Sequence, residues 1–142
     1  MNKSARYLLV ASVVVFLVCL RFTGFSIDGN RPYLGVEALL SGPLTLLVFP
    51  SEGIIWLANP ILVIAWLLIV RKQYLAGLIS GGGALCIAAC FLLLKSVGVD
   101  ESGGGRLVTG YGPGYWMWLA SIALVCVAAI IALRQQRACR AD

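Results

Sequence analysis

Residues Gly53 to Leu94 have the sequence GIIWLANPILVIAWLLIV-RKQ-YLAGLISGGGALCIAACFLLL, which consists of two apolar runs separated by three polar residues. Each run has about the 20 residues that an α-helix needs to cross the hydrocarbon core of a bilayer. The link Arg71–Gln73 is long enough only for a turn. The pattern therefore predicts two membrane spans, over about residues 52–70 and 74–94, that form a tight antiparallel hairpin.

Two further apolar runs lie nearer the ends of the chain and predict spans over about residues 7–24 and 115–133. Hydrophobic residues make up 61% of the 142 residues and charged residues 12%, whereas soluble domains have roughly 45–50% and about 25%. A water-soluble fold cannot bury this much apolar surface. The sequence predicts an all-α membrane protein with four transmembrane helices in a single integral membrane domain, 1–142.

The positions of the basic residues predict how the four helices are oriented. With four crossings, seven of the 11 Lys and Arg residues fall on one side of the membrane, and an excess of basic residues marks the cytoplasmic side. The seven are Lys3, Arg6, Arg71, Lys72, Arg134, Arg137 and Arg140. Both termini are therefore predicted to be cytoplasmic. Because these residues adjoin apolar ends and form no basic face, the net charge of +5 does not indicate nucleic-acid binding.

The segment 34–49 is a fifth apolar stretch, but it contains Glu37, Gly42 and Pro43. If it crossed the membrane, the C-terminal basic residues would lie opposite the N-terminal ones. We therefore predict an interfacial or re-entrant helix between spans one and two, with Gly42-Pro43 as a candidate break. Whether the helix lies on the membrane or dips into it is left open at this point.

The sequence lacks the residue sets that are typical of catalysis or metal binding. It has no histidine, which excludes His-based acid–base and nucleophilic chemistry. Cys86 and Cys90 have the spacing CxxxC, one residue wider than the redox motif, and we interpret them as small apolar residues between helices. Val108–Gly112 lacks the residue that a potassium-channel filter needs between Thr and Gly. No catalytic, cofactor or metal site is predicted.

The candidate functional residues are Glu37, Asn59, Tyr111, Tyr115 and Trp116. An acid in a membrane-associated apolar segment is a candidate for proton or ligand binding, although Glu37 also suits the polar side of an interfacial helix. Asn59 precedes Pro60, so it is a candidate either to satisfy the backbone that Pro60 leaves open or to bond across helices. The aromatic residues before span four are typical of an anchor at the headgroup level. We predict that these five residues share an outward-facing surface.

Three stretches carry a resemblance to known proteins: Leu34–Leu40 (LGVEALL), Trp56–Pro60 (WLANP) and Thr109–Trp116 (TGYGPGYW). The chain resembles a family of small four-span proteins of the bacterial inner membrane. The resemblance implies a multi-pass location in that membrane and implies no activity.

The absence of a catalytic set, together with the elaborated outer side, predicts a non-catalytic protein. The leading hypothesis is an accessory, scaffold or immunity-type protein that binds another membrane or periplasmic protein, with a homo-oligomer as the other partner considered. An alternative is a small oligomeric transporter or channel subunit, favoured by Glu37, by the Asn59-Pro60 break and by a face of small residues on span three. Gly77 and Gly81 are four residues apart on that face, a spacing that allows close contact between helices in lipid. A less favoured hypothesis is a membrane enzyme on lipid-linked substrates, which requires Glu37, Glu52, Asp100 and Glu101 to converge.

Overall fold

The computed structural model describes residues 3–27, 31–94, 96–98 and 105–141, and the chain is mostly helical. The helices are α1 (Lys3–Cys19), α2 (Gly35–Val48), α3 (Pro50–Gly53), α4 (Ala58–Val70), α5 (Tyr74–Cys90) and α6 (Pro113–Ala141). Two 3₁₀ turns, Ile54–Leu57 and Phe91–Leu93, extend α4 and α5 at one end. The strands are β1 (Thr23–Ile27), β2 (Arg31–Leu34), β3 (Ser96–Gly98) and β4 (Gly105–Tyr111).

Each predicted apolar segment contains a helix. The segment 34–49 forms α2, which is continuous through Gly42-Pro43. The hairpin of α4 and α5 is confirmed, since Arg71–Gln73 is a turn and the two helices pack along each other. In the described residues, two helices are long and apolar enough to cross a membrane, Tyr74–Leu93 and Pro113–Ala138. Two shorter apolar helices cover Gly35–Val48 and Ile54–Val70.

Small residues on α5 bring three helices together, as their four-residue spacing predicts. Gly77 and Gly81 are both buried. A Cβ atom on Gly77 would lie 2.7 Å from the Ile69 side chain of α4, and one on Gly81 would lie 3.0 Å from Cys126 Sγ of α6. The backbones of α4, α5 and α6 therefore approach too closely for larger side chains at these positions.

A buried pair of serines joins α1 to α6. Ser12 Oγ donates to the Ser121 backbone oxygen at 2.8 Å, and Ser121 Oγ donates to the Ser12 backbone oxygen at 3.0 Å. Trp66 of α4 adds a third bond, because its Nε1 donates to Ser12 Oγ at 3.0 Å. Both serines are fully buried, so these polar groups obtain their bonds from neighbouring helices.

The prediction of an all-α fold is incomplete, because the segments that link the helices at one end form an antiparallel sheet. Its strand order is β2-β1-β4-β3. Ser26 is paired with Pro32 of β2 and with Gly110 of β4. Pro32 is compatible with the ladder because β2 is an edge strand. The pairing of β1 with β4 connects segments that are far apart in sequence.

The predicted end of span one, near Gly24, is wrong. Helix α1 ends at Cys19, and Phe22 N–H donates to the Cys19 backbone oxygen at 3.1 Å to close a turn. The chain then enters β1 at Thr23, where the backbone hydrogen-bonds to β2 and β4. Pairing within the sheet replaces the helical bonds that the apolar residues after Leu20 led us to expect.

Candidate functional site

A cavity of about 370 Å³ lies where the helices meet the sheet. The end of α1, the start of α4, the end of α5 and the start of α6 all reach it, as Cys19, Asn59, Phe91 and Gly114 show. Helix α2 covers one side, and strands β1 and β2 complete the wall. The lining is mostly apolar, so the cavity suits an apolar group better than an ion.

Trp56 supports α2 at the position where Pro43 interrupts its hydrogen bonding. Pro43 has no N–H, so the backbone oxygen of Leu39, four residues earlier, lacks its helical donor. Trp56 Nε1 donates to that oxygen at 2.9 Å. The indole lies directly against Gly42, where a Cβ atom would overlap the ring. The α2 helix is therefore continuous through Pro43 because a side chain from another segment supplies the missing donor.

The Asn59 side chain donates a hydrogen bond beside the second proline, Pro60. Pro60 cannot donate the α-helical bond to the backbone oxygen of Trp56. That oxygen accepts a backbone N–H at the end of the 3₁₀ turn and also Asn59 Nδ2, at 3.1 Å. This contact corresponds to the structural role considered for Asn59. The preceding turn, Ile54–Leu57, is 3₁₀ rather than α, so the helix tightens just before Pro60.

Glu37 caps the start of α2. One of its carboxylate oxygens accepts the Leu34 backbone N–H at 2.9 Å, which is the Glu half of a capping box. Leu34 has no side-chain oxygen with which to supply the other half. Glu37 is exposed and does not line the cavity. Its charge therefore lies at the positive end of the α2 dipole, on the outside of the molecule.

The tyrosines of the predicted anchor bind the end of α5. Tyr111 Oη donates to the Phe91 backbone oxygen at 3.0 Å, and Tyr115 Oη donates to the Ala88 backbone oxygen at 3.0 Å. These carbonyls lie at a helix C-terminus, where helical donors run out. Burial raises the pKa of the Tyr111 hydroxyl above its ordinary value, so the group stays protonated to a higher pH than a free tyrosine does.

The five candidate residues are divided among three environments. Tyr111, Tyr115 and Trp116 form one aromatic cluster, with ring centroids 5.0 Å apart for the tyrosines and 5.4 Å apart for Tyr115 and Trp116. Asn59 and Tyr115 line the cavity. Tyr115 is buried, whereas Trp116 is 54% exposed and suits the predicted anchor. Glu37 belongs to neither group, being exposed at the first turn of α2.

The sequence did not indicate a role for Trp56 or for the serine pair, and it indicated Trp118 only as one of the aromatic residues of the anchor. Trp118 lines the cavity, and its Nε1 is buried with no hydrogen-bond partner among the described residues. The need for a donor near Leu39 follows from Pro43 alone, but nothing in the sequence identifies Trp56 as that donor. A single serine in the middle of an apolar run was the available signal for Ser12 and Ser121.

Comparisons of the chain with protein families, with curated proteins and with solved structures find no match. Within the part of the chain that the structure describes, His, Cys, Asp and Glu form no group of three or more that could hold a metal ion. The described cysteines, Cys19, Cys86, Cys90 and Cys126, are free thiols. The geometry of the cavity and of the sheet is therefore the basis for assigning a function.

Proposed function

We propose that the protein is a four-span protein of the bacterial inner membrane with both termini in the cytoplasm. It acts without catalysis, by binding another membrane or periplasmic protein at its outer end. The observation that carries this proposal is the sheet: segments that link the helices at one end form a single ordered layer. A structured platform of this kind suits recognition of a partner.

The directions of the helices support the orientation. Helices α1 and α5 end at the cavity, whereas α4 and α6 begin there, so the four alternate in direction. Their opposite ends carry the basic residues Lys3, Arg6, Arg71, Lys72, Arg134 and Arg137. That end is the cytoplasmic one by the positive-inside rule. The sheet and the cavity then lie toward the periplasm.

Exposed apolar side chains support a location within the bilayer. Leu17 of α1, Leu67 of α4 and Ile79 of α5 are large, apolar and more than half exposed, whereas small residues and serines fill the contacts between helices. This arrangement is typical of helices that pack in lipid. Lys3–Cys19 and Ile54–Val70 each have 17 residues, which is at the lower limit of about 17 for a span.

The outer strands of the sheet are positions where a partner protein could pair. In the described residues, β2 and β3 are the outer strands and each pairs with one neighbour. An open edge presents backbone donors and acceptors to an incoming strand. A partner that adds a strand there would gain backbone hydrogen bonds and contact with exposed side chains of β4 such as Leu107.

Three features favour the transporter hypothesis, and the small-residue face of α5 packs against α4 and α6, whereas the other two have roles in capping and helix bonding. The Glu37 carboxylate caps α2 outside the cavity, and the Asn59 amide is bonded to its own helix. The enzyme hypothesis requires acids that converge, but Glu37 is exposed on its own helix, and Asp100 and Glu101 lie outside the described residues. Binding of a partner protein is therefore the function that we propose.

Reporter fusions test the orientation. A fluorescent protein that matures only in the cytoplasm, fused after residue 142, is expected to fluoresce. A phosphatase active only in the periplasm is expected to be active when inserted between residues 98 and 105. A silent C-terminal reporter together with an inactive inserted phosphatase would show the opposite orientation.

Site-specific photocrosslinking in intact cells tests the binding role. A photoreactive residue at Leu107 is expected to give a discrete adduct with a second protein. The matched control is the same residue at Gln73, which is exposed at the opposite end of the bundle. Equal adducts at both positions, or adducts only at Gln73, would contradict a partner at the sheet.

A further inference from the structure

The cavity has the size and lining of a ligand site. Its volume of about 370 Å³ lies within the roughly 300–1,000 Å³ of typical small-molecule pockets. Side chains such as Phe16, Leu39 and Phe91 provide most of the wall. Among the described residues that line it, none has a charged side chain. A ligand that fills this space must be largely hydrocarbon.

The cavity continues onto the apolar outer surface of α2. Leu44 and Val48 both line the cavity and are more than half exposed, so they stand at its opening. Beside them, Leu40 and Leu47 are 76% and 80% exposed. A hydrocarbon chain therefore reaches the cavity across a largely apolar surface, on which the Thr45 hydroxyl is already bonded to the Ser41 backbone oxygen.

One polar group on the wall lacks a partner. Trp118 Nε1 is buried and has no acceptor among the described residues, although buried donors in proteins are nearly always bonded. Trp118 belongs to the first turns of α6, beside the exposed Trp116. Tryptophans near a helix end mark the headgroup boundary, where the ester carbonyls of lipids lie. Trp118 also lines the cavity, so its indole belongs to the wall that a bound lipid would contact.

We propose that the cavity binds one acyl chain of an ester-linked membrane phospholipid, and that the ester carbonyl accepts a hydrogen bond from Trp118 Nε1. The proposal rests on the membrane location given under the proposed function. The acyl chain enters between Leu44 and Val48 and packs against the buried aromatic wall. The headgroup remains at the outer surface, near the aromatic cluster.

Photolabelling with a phospholipid that carries a diazirine in its acyl chain tests this assignment. The full chain is reconstituted in vesicles of phosphatidylethanolamine and phosphatidylglycerol that contain the probe, and the labelled residues are mapped by mass spectrometry. Labels are expected on the buried residues Phe16 and Phe91 as well as on the surface residue Leu47. Labelling of Leu47 without Phe16 or Phe91 would overturn the proposal and leave the membrane location intact. No labelling at any of the three would contradict the membrane location itself.

Two matched variants separate the cavity from the surface. Ala38→Trp fills the cavity from α2 and is expected to abolish labelling of Phe16 and Phe91. Leu40→Trp places the same ring on the outer face of α2 and is expected to leave that labelling unchanged. Unchanged labelling in a folded Ala38→Trp protein would overturn the proposal.

An ether-linked probe with an alkyl chain of the same length and the same diazirine tests the hydrogen bond without any substitution in the protein, because it lacks the ester carbonyl. In the wild type, labelling of Phe16 and Phe91 by the ether probe is expected to be about fivefold weaker than labelling by the ester probe. This factor corresponds to the loss of one hydrogen bond. Trp118→Phe is expected to remove this preference, whereas Trp116→Phe keeps it. Equal labelling of the wild type by both probes would overturn the assignment of Trp118.

Discussion

The two ends of the helical bundle satisfy their backbone groups by different means. At the turn between α4 and α5, the backbone does so itself, since Gln73 N–H donates to the Leu68 oxygen at 2.9 Å and Lys72 N–H donates to the Ile69 oxygen at 3.0 Å. At the cavity end, side-chain donors bond to the two oxygens that lose their α-helical donor to proline. The first arrangement needs only local sequence, whereas the bond from Trp56 to Leu39 needs a tertiary contact.

The difference also determines where space remains between the helices. Along α5, Gly77 and Gly81 let the helices close upon one another. At the other end, the indole of Trp56 packs against Gly42 of α2. The ring therefore separates α2 from the start of α4. The cavity is next to this ring. Small residues therefore close the bundle at one end, and a large residue keeps it open at the other.

The largest expected effect is at the contact of Gly42 with Trp56. In Gly42→Ala, the new methyl group would overlap the indole, which is itself bonded to α2, so we expect the free energy of unfolding to fall by roughly 3 kcal/mol. Equilibrium unfolding in detergent micelles measures this.

The matched control for that substitution is Gly82→Ala on α5. A Cβ atom at Gly82 meets nothing within 4 Å, and Ala is the better helix former, so we expect a gain of about 0.5–1 kcal/mol. Equal effects of the two substitutions would show that the Gly42 contact is not tight.

The next effect is at the serine pair that joins α1 to α6. Ser12→Ala removes the hydroxyl that accepts from Trp66 and donates to Ser121, and we expect a loss of about 2 kcal/mol. A double-mutant cycle with Trp66→Phe is expected to give a coupling of about 1 kcal/mol. Additive effects of the two substitutions would mean that the Trp66 bond contributes nothing to stability.

A rescue experiment tests whether the Trp56 indole replaces the backbone donor that Pro43 lacks. Trp56→Phe leaves the Leu39 oxygen without a donor, and we expect it to cost about 1–2 kcal/mol. Pro43→Ala supplies a backbone N–H to the same oxygen, so in the double variant most of that loss is expected to return. The readout is again the free energy of unfolding, with Pro43→Ala alone as the reference. If Pro43→Ala stabilises the two backgrounds equally, the donor from Trp56 does not substitute for that of the helix.

The closed part of the bundle is the part that could be predicted from the sequence. Apolar runs predict helices because each contains its own hydrogen-bond partners, and the small residues of α5 lie on one face through local spacing alone. The hairpin follows from the shortness of Arg71–Gln73. Even α2 was predicted close to its bounds, since its length and polarity are properties of a single segment.

The open end could not be predicted, because its contacts join residues that are distant in the chain. Ser26 pairs with Gly110, and nothing in the glycine-rich segment around Gly110 specifies that register. Trp56 reaches α2 from a different helix. Of the candidate site, the capping of the Trp56 oxygen by Asn59 was predictable because Pro60 is its immediate neighbour, whereas the cavity itself depends on five segments that assemble only in the fold.

The smallest expected effect is at the turn of the α4–α5 hairpin, where the backbone is satisfied but one residue is strained. Lys72 has a φ of 63°, in the left-handed region that disfavours residues with a Cβ atom, and it occupies the position after the helix cap where Gly is usual. Lys72→Gly is expected to raise the free energy of unfolding by about 0.5–1 kcal/mol. Lys72→Ala removes the same charge and keeps the Cβ atom, so it should bring no comparable gain. If both variants gain the same stability, the loss of the Lys72 charge and not the relief of backbone strain is the cause. The turn between α4 and α5 would then be free of strain.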